Sequence, residues 1–159
     1  MEWLVFATFF AACAAAGSTG SMFPPDDWYE QLTKPSWTPP NWLFPLAWTV
    51  LYVTMAWAAT LVSAAGEGAA LGLALWALQI ALNAIWTPVF FGLKRLGAAF
   101  VALMALWSAV AACVVVFFQI EPLAGWLFLP YLIWVSYAAA LNYWIYKHNP
   151  DADAAAAGG

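Results

Sequence analysis

Formal charges are sparse along this chain and fall in clusters: Glu2; Asp26, Asp27, Glu30 and Lys34; Glu67; Lys94 and Arg95; Glu121; then Lys147, Asp151 and Asp153. Between them run charge-free stretches at 3–25, 35–66, 68–93, 96–120 and 122–146, each dominated by apolar side chains. A helix needs about 20 apolar residues to cross the hydrocarbon core of a bilayer, and every stretch supplies them. Barrel strands need only about 10 residues and alternate in polarity; these runs are too long and alternate too weakly. The pattern predicts an all-α membrane protein, a bundle of five transmembrane helices near 3–22, 43–64, 69–91, 97–118 and 123–146. One long loop joins the first two. Residues 1–148 form the membrane domain, and 149–159 read as a disordered C-terminal tail.

Composition sharpens this. The chain has 159 residues, 66% hydrophobic and 8% charged, with a net charge of −4; its mean hydropathy is +0.81. A soluble protein of this size cannot hide so much apolar surface. With only four Lys and Arg residues, nucleic acid is not a partner; the lipid bilayer is. The first stretch carries Phe10-Ala11-Ala12-Cys13, loosely like a lipoprotein cleavage site, but a signal peptide wants a basic start. Glu2 stands there with no Lys or Arg, so the helix is expected to be retained. Lys34, Lys94, Arg95 and Lys147 all fall on one side of the five spans. The positive-inside bias makes that side cytoplasmic, with the N-terminus outside and the C-terminus inside. Complete helical spans suit a bacterial cell membrane better than the outer membrane, whose proteins are mostly barrels.

Cys13 and Cys113 lie inside separate spans and read as small packing residues. The single His148 is in the tail, so no His/Cys/carboxylate cluster offers a metal site, and no cofactor is expected. The anomaly is aromatic: 12 Trp, and 18% Phe, Trp and Tyr together. In the loop, Asp26 is placed to cap a short helix through Trp28-Tyr29-Glu30-Gln31-Leu32, and Pro35, Pro39 and Pro40 stiffen the remainder of the connection. Trp37 and Trp42 there are either interfacial anchors or part of a lid over a cavity. Within the spans, Trp48 and Tyr52 share a face. Gln79, Asn83 and Thr87 form a polar stripe at four-residue spacing, with Trp86 and Phe90 close by. Tyr131, Trp134, Ala138 and Leu141 run at helical spacing in the fifth span. Uncharged amides at bilayer depth face the protein interior. The stripe therefore serves either interhelical hydrogen bonding or an apolar pocket with a few polar groups. Pro88 and Pro130 each remove a helix hydrogen bond and are expected to kink their spans. Ala70, Ala74, Ala77, Ala81 and Ala84 form a small-residue seam about 200° around the helix from the polar stripe. Such a seam suits either a homodimer interface or packing against a helix of the same chain, and Ala11, Ala15 and Ser18 of the first span offer a competing small face.

Several segments together resemble the TspO/MBR family, the tryptophan-rich sensory proteins whose animal members are called translocator protein or peripheral benzodiazepine receptor. They are Lys34-Pro35-Ser36-Trp37-Thr38-Pro39-Pro40-Asn41-Trp42, Pro45-Leu46-Ala47-Trp48-Thr49-Val50-Leu51-Tyr52, Gln79-Ile80-Ala81-Leu82-Asn83-Ala84-Ile85-Trp86-Thr87-Pro88-Val89-Phe90-Phe91-Gly92, and Pro130-Tyr131-Leu132-Ile133-Trp134 followed by Leu141-Asn142-Tyr143. They are co-linear and span nearly the whole chain. The resemblance implies a five-helix bundle, often homodimeric, that binds porphyrins such as protoporphyrin IX and synthetic isoquinoline carboxamides, and cholesterol in animal members. It implies ligand-binding roles for Trp48, Asn83, Trp134 and Ala138. It also matches the family's sterol motif to the run from Leu141 through Tyr143 to Lys147, a weak pattern by itself.

The leading expectation is a membrane receptor or carrier for porphyrins. Trp37, Pro40, Trp42, Trp48, Tyr52, Gln79, Asn83, Trp86, Phe90, Trp134, Ala138 and Leu141 form the site, and the ligand's carboxylates point toward the loop, where Lys34 is available. The alternatives are a light-dependent porphyrin-degrading enzyme and a sterol-binding translocator. For the enzyme the chain offers photo-oxidisable indoles but no acid–base pair, nucleophile or metal site.

Overall fold

The computed structural model describes residues 2–157, all helix, turn and loop, with no strand among them. Five helices are long and apolar enough to span a membrane: α1 (Glu2–Met22), α3 (Leu43–Ser63), α4 (Ala69–Thr87, prolonged by a π-helical turn to Gly92), α5 (Leu96–Ile120) and α6 (Pro122–His148). The short α2 (Asp27–Gln31) lies in the long loop. Each span ends within two residues of the hydropathic prediction, because the charges and turn residues that interrupt the runs also end the helices.

Spatial order differs from chain order. α1 packs on α3 and α4, α3 on α6, α6 on α5 and α5 on α4, closing a ring. At the end of the bundle bearing the 64–68 turn and Glu121, the interior is solid. Met55, Val62, Val110, Cys113, Phe117 and Phe128 there are fully buried, Phe117 packs edge-on to Phe128 at 5.0 Å, and the Trp76 indole N–H donates to the Met55 carbonyl at 3.2 Å.

Pro88 does not break its helix. With the proline's N–H missing, the backbone widens by one residue, and the Leu93 N–H donates to the Pro88 carbonyl at 2.8 Å. Such π turns recur at functional sites. Pro130 lies within the unbroken α6.

The tail departs from expectation. Pro150–Ala157 forms a helix, α7, whereas the sequence reads 149–159 as a disordered tail; residues 158–159 lie outside the described residues. Its alanines favour helix locally, and a tertiary contact docks it: α5 begins without a side-chain cap from its own flank, and Asp153 accepts from the Gly97 N–H at 3.0 Å.

Candidate functional site

In the loop half of the ring the side chains leave a cavity of about 500 Å³, within the range of about 300–1,000 Å³ typical of small-molecule sites. α1 contributes Gly17 and Thr19; α3 Phe44, Trp48 and Tyr52; α4 Asn83, Trp86 and Thr87; the π turn Phe90 and Phe91; and α6 Trp134, Ala138, Leu141 and Asn142. Leu103 and Leu106 of α5 close the back, while Phe23, Pro25, Tyr29 and Asn41 reach in from the loop. Exposed Gly20, Ser21, Asn41 and Pro45 mark a mouth between the end of α1 and the start of α3.

Trp48 is the hub of the aromatic wall. Its ring centroid lies 5.4 Å from Tyr52, 6.0 Å from Tyr131 and 6.4 Å from Trp134, the last at 85°. Phe44 meets the other side of Trp134 edge-on at 6.0 Å. These are the tilted and T-shaped geometries that ring quadrupoles favour. Ala138, one turn beyond Trp134, puts only a methyl group at the cavity wall. The indole N–H groups of Trp48 and Trp134 have no acceptor among the described residues.

The floor is polar and neutral. The Tyr52 hydroxyl donates to Asn83 Oδ1 at 3.2 Å, and Asn83 Nδ2 donates to the Tyr131 hydroxyl at 2.9 Å. One amide thus ties α3, α4 and α6 together at a depth where lipid offers no hydrogen bonds. A second amide does similar work: Asn142 accepts from the Trp86 indole at 3.2 Å and donates to the Leu96 carbonyl at 3.1 Å. Tyr52 reaches its place because α1 has no side chain in the way: a Cβ on Gly17 would lie 2.6 Å from the Tyr52 ring.

The roof is α2, tethered on several sides. Asp26 caps α2 by accepting from the Tyr29 N–H at 3.2 Å, as its position predicts, and pairs with Lys94 at 2.8 Å. That hydrogen bond holds the Asp26 carboxyl below its ordinary range. Lys94 also lies 5.4 Å over the Trp28 ring. Tyr29 packs on Phe90 and Phe91 at 6.2 and 5.3 Å, the two rings the π turn carries. Asn149 grips the backbone of Thr33 both ways, accepting its N–H at 2.8 Å and donating to its carbonyl at 2.9 Å. The Tyr137 hydroxyl donates to the Trp37 carbonyl.

Trp48, Tyr52, Asn83, Trp86, Phe90, Trp134, Ala138 and Leu141 thus line one cavity, as the helix faces suggested. Trp37, Pro40, Trp42 and Gln79 do not. Trp37 is 43% and Trp42 66% exposed, since the loop turns its backbone inward there: Trp37 presents its carbonyl to Tyr137. Gln79 lies one turn deeper than the floor. Lys34, expected to be free for a ligand's carboxylates, closes the C-terminus of α2 instead, donating to the carbonyls of Tyr29, Glu30 and Leu32 at 2.5, 3.2 and 3.3 Å. Among the described residues, no lysine or arginine lines the cavity.

The sterol-motif residues do not share a face. Leu141 is buried against the cavity, whereas Tyr143 is 47% exposed on the outside of α6, with Lys147 5.6 Å over its ring. Residues two apart on a helix are separated by about 200°, so Leu141 faces away from Tyr143 and Lys147. The Ala70, Ala74, Ala77 and Ala81 seam is exposed on α4, away from the cavity; Ala84 is half-buried. Sequence reasoning missed Gly17, Phe44, Tyr137 and Asn142. Asn142 alone carried a signal, as an uncharged amide inside a span.

The chain matches the TspO/MBR family model over residues 3–147. It is 50% identical over 153 residues to Protein CrtK of Rhodobacter capsulatus, covering 94% of this chain and 96% of that one. It is 50% identical over 143 residues to the tryptophan-rich sensory protein of Cereibacter sphaeroides, with 90% of each covered. It is also 40% identical over 126 residues to the human translocator protein, with 77% of this chain and 75% of the relative covered.

Proposed function

The chain belongs to the TspO/MBR family of multi-pass membrane proteins, and we propose that it is a receptor and carrier for a porphyrin of the protoporphyrin IX type. The observation that carries this reading is the cavity itself. It has an aromatic wall in which Trp48 and Trp134 meet edge-to-face beside the small Ala138, a neutral hydrogen-bonding floor centred on Asn83, and a mouth under the loop. A porphyrin is a flat aromatic disc with two carboxylates at one edge. Its ring stacks between the aromatic walls. Its carboxylates stay hydrated at the mouth, since the cavity has no cation to pair with them and Lys34 is committed to α2. The same wall and floor admit an isoquinoline carboxamide, whose carbonyl accepts from a free indole N–H. The split of Leu141 from Tyr143 and Lys147 argues against the sterol reading.

The exposed alanine seam of α4 is the face for a second copy of the chain, through close backbone approach. Lys34, Lys94, Arg95 and Lys147 lie at the loop end, which is the cytoplasmic side of a bacterial cell membrane.

The test is titration of protoporphyrin IX into the purified protein in nanodiscs, read by tryptophan quenching. Trp134→Leu should weaken binding about tenfold, the equivalent of about 1.4 kcal/mol. Titration under illumination with product analysis separates carrier from enzyme: multiple turnovers that depend on Trp48 or Trp134 would favour the light-driven degradation reading. Saturable binding absent from the wild type, or unchanged in Trp134→Leu, would overturn the assignment of the cavity.

A further inference from the structure

One wall of the cavity is not built by a membrane-spanning helix. It is the roof, which sends Pro25, Tyr29 and Asn41 inward from the loop between α1 and α3. The spans are held by the bilayer and by the solid half of the ring, so this wall moves at the least cost. Among the described residues, side chains outside the loop tie its backbone at only two residues, Trp37 through Tyr137 and Thr33 through Asn149. Asn149 directly follows α6 and spends its whole side-chain amide on the tie. Oδ1 accepts the Thr33 N–H at 2.8 Å, while Nδ2 donates to the Thr33 carbonyl at 2.9 Å and to the Ile145 carbonyl at 2.8 Å. Both donors and the acceptor are in use. One side of the amide is fixed to the last turn of a spanning helix. The other holds both backbone groups of a single loop residue, as a neighbouring strand would.

The residues after Asn149 keep the amide in place. Asp153 accepts from the Gly97 N–H at 3.0 Å, and Ala152 packs on the cluster that buries Tyr29 and Leu32 of the roof. Beside that contact a cleft of about 360 Å³ parts Trp28 and Gln31 of the roof from His148 and Asp151 of the tail, so the join is narrow. Thr33 is exposed and Asn149 half-buried, which leaves their two bonds open to competition from water. Asn149 is not among the residues lining the cavity, so its bonds to Thr33 are the same whether the cavity is empty or filled. A contact with no preference between the free and the loaded protein shifts no binding equilibrium. It does set how often the roof lifts.

We propose that Asn149 latches the roof, and so sets how fast a ligand enters and leaves the cavity without setting how tightly it binds. The proposal rests on the ligand-binding reading of the cavity. Asn149 acts through Thr33 and is a positioning residue; it touches no ligand.

Hydrogen exchange on the ligand-free, full-length protein in nanodiscs tests the latch alone. The Glu30 and Leu32 amides donate within the loop, to the Asp26 and Tyr29 carbonyls, so their exchange reports opening of the roof rather than loss of the tie itself. In Asn149→Ala they should exchange about fivefold faster, the effect of losing two exposed neutral hydrogen bonds, while the Val110 and Phe117 amides of the core keep their wild-type rates. Unchanged exchange in the roof overturns the proposal. So does equal acceleration in the core, which is the mark of general destabilisation. Stopped-flow mixing with protoporphyrin IX reads the consequence: association and dissociation rate constants should both rise by about the same factor, leaving Kd within about twofold of the wild type. A rise in dissociation alone, or no change in either rate, overturns the latch. A wild type that binds no porphyrin overturns the reading of the cavity instead, and the exchange of the roof amides still decides whether Asn149 holds the roof.

Discussion

Gly17 is a position where a single methyl group should disturb the cavity directly. In Gly17→Ala the new Cβ lies 2.6 Å from Tyr52 Cε2 and 3.2 Å from both Cζ and the hydroxyl oxygen. Ordinary contact begins near 3.4 Å, so the ring must retreat by about 1 Å or α1 must move away. Overpacking of this kind typically costs about 1–3 kcal/mol. The Tyr52–Asn83 hydrogen bond is already 3.2 Å long, and a retreat of that size breaks it. A hydrogen bond inside a membrane protein contributes about 0.6 kcal/mol on average. The retreating ring also enters the cavity, which Gly17 and Tyr52 both line, so ligand affinity should fall along with stability. We expect protoporphyrin IX to bind at least tenfold more weakly, which corresponds to about 1.4 kcal/mol, and the unfolding midpoint to drop. The decisive measurement is a double-mutant cycle with Tyr52→Leu, which removes the ring that clashes. If the clash is the cause, Gly17→Ala should cost little in the Tyr52→Leu background, giving a coupling of about 1 kcal/mol or more. Additive effects, or an unchanged affinity in Gly17→Ala alone, would refute the reasoning.

Ala138→Thr adds a β-branch and a hydroxyl beside Trp134, and by the same overpacking argument should cost about 1–3 kcal/mol in ligand affinity or stability; unchanged titration and melting curves would count against a close-fitting wall. Lys94 lowers the ordinary Asp26 pKa, so the tether's contribution is complete above the ordinary carboxylate range and is lost as pH falls through the depressed value. Hydrogen exchange of residues 23–42 should therefore be flat across neutral pH and accelerate only in acid, and Asp26→Asn should show the fast exchange already at neutral pH. Ala77→Leu with Ala81→Leu should convert a dimer to a monomer in mild detergent while porphyrin affinity stays nearly intact; a double variant that remains dimeric places the interface elsewhere. A cysteine at Lys94 should react with an impermeant reagent only from the cytoplasmic side and one at Glu121 only from outside; reversed labelling would show that four cations are too few to orient this chain.

The five spans and their limits were legible in the sequence, because a bilayer imposes its thickness on the run of apolar residues independently of any partner helix. The inward faces of α3, α4 and α6 were legible for a related reason. Trp48 with Tyr52, Asn83 with Thr87, and Trp134 with Ala138 each share a face by helical spacing alone, and lipid excludes the amides among them. Beyond single helices, the tertiary structure decided. Gln79 and Asn83 are equivalent by periodicity, yet Asn83 lines the cavity and Gln79 is sealed beneath it, because Tyr52 and Tyr131 arrive from two other helices at the level of Asn83. Gly17 carries no signal of its own; its role exists only where α3 brings a ring against α1. Trp37 and Trp42 looked like a roof by residue type, but loop orientation depends on tethers from Tyr137, Asn149 and Lys94, all remote in the chain. The tail docks on the bundle through Asp153, which accepts from the Gly97 N–H at the start of α5, a contact no local pattern shows. Local pattern specifies a helix and its buried side; which neighbour meets that side, and at what depth, depends on the closing of the ring.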